Sequence, residues 1–124
     1  MGTFKGLRAD EVTFTLTAEY EDIPVRGNAL ACGDDAEDKA CEDEIIARLD
    51  RGDVWAWACV TVTARWRDWK GSATLGACSY TDEDDFRTPG GYYDDMCAEA
   101  LAELNVRVQT AFEALADRAE AVPS

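Results

Sequence analysis

From Val12 to Tyr20 apolar and polar residues alternate without a break. Val12, Phe14, Leu16, Ala18 and Tyr20 fall on one side, and Thr13, Thr15, Thr17 and Glu19 on the other. A period of two with β-branched and aromatic residues predicts a half-buried strand. A longer alternation runs from Val54 to Trp66 and predicts a second strand. Val54, Ala56, Ala58, Val60, Val62, Ala64 and Trp66 form one face, and Trp55, Trp57, Cys59, Thr61, Thr63 and Arg65 the other. The segment RDWKGS then reads as a hairpin loop, with Asp68 and Gly71 as turn residues. Ala73 to Tyr80 returns as the partner strand, and Gly76 inside it marks a bulge or a close backbone contact.

Between these strands the period changes to that of a helix. Cys41, Ile45 and Leu49 recur every fourth residue, with Ile46 beside them, and predict a helix over 35–50 that Gly52 stops. Residues 21–33 hold Pro24, Gly27, Asn28 and Gly33 and read as a connection, with a short edge strand at 29–32 as an alternative. Thr81-Asp-Glu-Asp-Asp is expected to cap a single helical turn ending near Phe86. After Thr88-Pro-Gly-Gly, a long helix over 93–119 is predicted. Cys97, Leu101, Leu104, Val108, Ala111, Phe112, Leu115 and Ala119 share one narrow face of it.

The order β-α-β-β-α predicts an α+β fold. The simplest packing is a mainly antiparallel sheet of three strands, or four with the edge segment, and two helices on one face. Residues 1–10 read as a loose arm in which Phe4 and Leu7 tuck against the body. Residues 11–120 read as a single domain and 121–124 as a tail; a chain of this length is normally one domain.

Charge changes the picture next. Twenty-six acids face twelve bases and no histidine, a net charge of -14 on 124 residues. The aromatic content argues for a folded chain, so the acids belong to the surface of a globule. Such a surface repels nucleic acid and anionic membrane and attracts basic proteins. Only Arg65–Lys70 resembles a basic patch, so direct nucleic-acid binding is disfavoured.

Two acidic blocks stand out. In the first, Asp34, Asp35, Glu37, Asp38, Glu42, Asp43 and Glu44 crowd about 16 Å of helix. In the second, Asp95, Glu99, Glu103, Glu113 and Asp117 lie within about 80° of one another over about 33 Å. Asp34, Asp35, Glu37, Glu44 and the five acids of the second block are the candidate partner-binding surface, imitating nucleic-acid phosphates. The plainer reading is that acids at a helix start suit the macrodipole and acids on a helix face are solvated. A duplex presents about twenty phosphates over the longer span, so five carboxylates are sparse.

Trp55 and Trp57 carry a second expectation. If the helices cover the small-residue face, these rings are open and mark an apolar contact, joined by Tyr92 and Tyr93 of TPGGYYDDM. Burial of the rings by the arm or by a reversed face assignment, and service of the loop as a plain turn into the helix, are the alternatives.

Other chemistry finds little support. Neither GDDAEDKACEDE nor TDEDDFRTPGG has the ligand order of a calcium loop. Without histidine there is no Ser-His-Asp or Cys-His pairing. The five cysteines show no CxxC spacing and read as mostly buried thiols of a reducing cytosol, with a disulfide framework as the alternative. No catalytic residue, cofactor or metal is expected, and no apolar run long enough to cross a bilayer.

The segments EDIPVRGNAL, EDEIIARLDRGDVWAWACVTV, LGACSY and GYYDDM make the chain resemble small acidic proteins of bacteriophages and prophages, over roughly residues 19–105. That family has no assigned activity to carry over. The resemblance implies a mobile-element setting, shared by analogy with anti-restriction and anti-CRISPR inhibitors. The expectation is a cytoplasmic, non-catalytic DNA mimic that inhibits a basic, nucleic-acid-binding host protein. A homodimer or adaptor using the Trp-bearing face is the alternative.

Overall fold

The computed structural model describes residues 5–29 and 35–121, the side chains of residue 35 and of 116–121 excepted. The strands are β1 (Thr13–Tyr20), β2 (Ala58–Trp66) and β3 (Trp69–Cys78). The helices are α1 (Asp35–Asp50), the single turn α2 (Glu83–Phe86) and α3 (Tyr92–Ala121), with 3-10 turns at Ala9–Glu11 and Val54–Ala56. The sheet order is β1-β2-β3, antiparallel throughout. The expected α+β class and element order are observed.

The hydrophobic row of β2 makes the centre of the core. Ala58, Val60, Val62 and Ala64 are each 0% exposed. They lie under α3, which packs on β2 and β3. The small residues allow a close approach. A Cβ placed on Gly71 would lie 2.5 Å from the Ala100 carbonyl oxygen and nearer still to the Leu104 nitrogen. Gly71 is thus a seat for α3 within β3, not the turn residue the sequence predicts. The hairpin loop is correspondingly shorter: Trp66 pairs with Trp69, and Arg67 and Asp68 alone make the turn. Arg67 has φ +56°, the sign that tight hairpin turns need at their first position.

The buried stripe of α3 is Met96, Ala100, Leu104 and Val108, with Cys97 and Leu101 half-buried beside it. It is rotated by about 50° from the predicted face and shares Leu104 and Val108 with it, because Ala100 must sit on Gly71. Leu115 is 66% exposed instead of buried. Thirty helical residues run about 45 Å and ten strand residues about 34 Å, so the end of α3 passes beyond the sheet.

α1 has a different seat. It packs on the Val54–Ala56 turn at the end of β2, where Ile45 joins Val25, Ala56 and Trp57. The second predicted strand therefore begins later than the alternation suggests. Asp53 accepts a hydrogen bond from the Trp55 nitrogen at 3.1 Å and starts the 3-10 turn there. In β3 the register shifts opposite the Ala58–Val60 stretch and Ala77 has φ +53°, so the bulge expected from Gly76 is present. Leu7 is buried, and its backbone exchanges two hydrogen bonds with the Asn105 side chain. Phe4 lies outside the described residues, as do residues 30–34, the greater part of the alternative edge strand.

Candidate functional site: an acidic helical surface

The acids divide into those that fold the chain and those left to solvent. Asp82 caps α2 through the Asp85 nitrogen at 2.8 Å, and Asp85 accepts from the Thr81 nitrogen at 3.0 Å. Asp94 accepts from the Gly90 nitrogen at 2.9 Å at the start of α3. The first satisfies an amide that α2 leaves unpaired at its start, and the other two tie the residues just ahead of α2 and α3 to those helices. Arg26 holds Glu42 and Asp43, and Arg48 holds Asp53. TDEDD and GGYYDD are therefore largely capping sequences.

On α3, Asp95 and Glu99 are exposed, one helical turn apart, and neither has a hydrogen-bond or ion-pair partner among the described residues. Glu103 continues the line but bonds to Arg107 at 2.8 Å. Glu113 accepts a hydrogen bond from Gln109 at 2.8 Å. On α1, Glu37 and Glu44 are exposed. Asp34 lies outside the described residues; the side chains of Asp35 and Asp117 do too, although their backbones are helical. Among the described residues the unpaired part of the predicted surface is thus Asp95 and Glu99 on one helix and Glu44 on the other.

The apolar alternative fares differently. Trp57 is 3% exposed and its indole donates to the Ile23 carbonyl at 2.7 Å. Trp55 is half-buried in an aromatic cluster, 5.5 Å from Phe86 and 6.5 Å from Tyr80 between ring centroids. Tyr93 joins this cluster at 6.2 Å from Phe86, and the Arg87 guanidinium lies 4.6 Å over its ring. An open pair of tryptophans is corrected to a buried Trp57 and a packed Trp55. The rings are buried because the chain turns through a 3-10 helix at 54–56 and directs them at α1 and α2. Of the four predicted aromatic contacts, Tyr92 remains well exposed, at 59%.

The thiols are placed for packing. Burial pushes Cys78 up to about 11, with smaller effects from Cys59 and Glu21. Burial likewise raises Cys59 and Cys97. A thiol held protonated is a weak nucleophile. Cys41 is exposed, and Cys32 lies outside the described residues. Among the described residues no three potential ligand side chains converge on a metal position. A cleft of about 400 Å³ between α1 and the bulge is lined by Asn28, Ala29, Cys41, Ile45, Trp57, Ala77 and Ser79, without an ionisable group other than the thiol. Among the described residues no helix is long and apolar enough to cross a membrane.

Comparison with protein-family models, with curated proteins and with solved structures gives no match.

Proposed function

We propose that this protein is a non-catalytic inhibitor or modulator, of phage or mobile-element origin, that occupies the nucleic-acid-binding surface of a basic host protein. The reading rests on one observation: Asp95 and Glu99 stand exposed and unpaired in line on α3, in a molecule of net charge -14. A carboxylate engaged by an internal arginine has little charge left to offer, whereas these two retain theirs. The i,i+4 spacing sets them about 6 Å apart along the axis, and Glu44 adds charge from α1. Long-range attraction brings a cationic groove to this surface, and it weakens as salt shortens the Debye length.

The test is capture of partners from host lysate on the immobilised chain, with low-salt and then high-salt elution. A nuclease, polymerase or repressor released by salt is the expected result. Its affinity should fall about tenfold in the Asp95→Asn, Glu99→Gln double variant. A partner retained through high salt, or one that binds the double variant equally well, would sink the proposal.

A further inference from the structure

The two edges of the sheet are not alike. β3 carries a register shift, a left-handed Ala77 and an outward Lys70, all devices that blunt a strand edge. β1 has none of them. It pairs with β2 without a shift from Thr13↔Arg65 to Tyr20↔Ala58. Its eight residues, TFTLTAEY, include no proline, glycine or lysine. No described segment bonds to its outer edge.

A second observation concerns the apolar side of the same strand. α3 packs on β2 and β3 and leaves β1 at the margin. Val12, Phe14, Leu16 and Ala18 point to the core side but are only half-buried. An open backbone edge and a half-covered apolar row therefore lie together.

We infer that β1 is a homodimerisation edge, pairing antiparallel with β1 of a second copy to give one six-stranded sheet. The sequence of β1 is self-complementary when reversed about Leu16. Leu16 then meets its own copy, Phe14 meets Ala18, Thr15 meets Thr17 and Thr13 meets Glu19. Every pair joins like faces, as a sheet register requires. One charged contact agrees with this register. Thr13 lies in the cross-strand row that continues through Arg65 and Lys70, and neither cation has an ion-pair partner among the described residues. Glu19 of the second copy falls at the end of that row, about 10 Å from the Arg65 backbone, within reach of a long side chain. Two-fold symmetry makes this contact twice. From Thr13 to Ala18 β1 carries no charge, so like charges meet only beyond the ends of the pairing, at Glu11 and Glu21. An eight-residue edge is about 27 Å long and a sheet about 10 Å deep, which places the contact among the small, reversible interfaces.

The test is sedimentation equilibrium from about 10 μM to 1 mM in low salt, with circular dichroism confirming the fold of each variant. The natural chain should dimerise reversibly, and β1 amides should gain hydrogen-exchange protection as concentration rises. Leu16→Lys, an inward charge on an edge strand, should remain monomeric. Glu19→Lys should raise the dimer Kd about tenfold, and adding Arg65→Glu should restore it. Both residues are exposed, so this pair decides the matter should Leu16→Lys not fold. A monomer throughout the range, a dimer indifferent to the Leu16 and Glu19 substitutions, or failure of the charge swap to rescue would overturn the proposal.

Discussion

α3 lies on the sheet backbone to backbone, with Gly71 beneath Ala100 and Leu104, whereas α1 is fastened largely at its flank by arginines. α3 buries Met96, Ala100, Leu104 and Val108. α1 buries Ile45 alone among its described residues and relies on side-chain bonds from Arg26 and Arg48. A helix seated by close packing depends on shape, and the smallest added volume unseats it. A helix tied by charged hydrogen bonds tolerates volume but depends on a few polar groups.

Gly71→Val breaks the first mode and carries the largest expected effect. Its side chain would occupy the positions of the Ala100 oxygen and the Leu104 nitrogen, which are backbone atoms and cannot rotate away. Over-packing of this kind costs about 3 kcal/mol or more. Denaturant unfolding should show that loss, and a Gly71→Val protein of near-natural stability would refute the close seat. Among the described residues no comparable glycine lies under α1.

Arg48→Met tests the second mode. The Arg48 guanidinium donates to the Tyr80 carbonyl at 2.6 Å and to Asp53 at 2.9 Å, and so ties α1 to the end of β3 and to the cap of the 3-10 turn. Methionine keeps the stem and removes the donors. Partial exposure of the site limits the expected loss to about 1–2 kcal/mol. Hydrogen exchange should quicken in α1 before α3, because the bonds lost belong to α1. Uniform loss of protection across both helices would mean that they are not held separately.

These modes differ in how far they can be read from the chain. Alternation over Val12–Tyr20 and heptad-like spacing after Tyr93 announce β1 and α3, because burial of one face imposes the period directly. Gly71 misleads, because a glycine beside Asp68 and Lys70 resembles turn chemistry while its cause is a helix thirty residues away. VWAWA misleads for the opposite reason: its period of two persists where the backbone has become a 3-10 turn. Glu103–Arg107 is visible as an i,i+4 pair, whereas Arg26–Glu42 joins residues from separate elements and leaves no local signal. The candidate surface was legible in part for the same reason. Its line on α3 follows from helical geometry, but which acids are consumed by caps and arginines depends on tertiary neighbours.

The smallest effect separates the two helices by pH. Cys78, Cys97, Tyr80 and Tyr93 all belong to the cluster beneath α3, and all four are raised, with burial as the first cause. The exposed Cys41 of α1 lies outside that cluster. Cys78 shifts furthest, from 9.0 to about 11. Above pH 9 the unfolded chain has lost the Cys78 proton and the folded chain still holds it. The unfolded state then binds fewer protons, so stability falls as pH rises from about 9 towards 11. By pH 10 the loss from this thiol is about 1 kcal/mol. Urea midpoints measured between pH 8 and 10.5 should therefore decline. Cys78→Ala should flatten the decline, after allowance for its own packing cost. An alkaline limb of unchanged slope in Cys78→Ala would overturn the assignment.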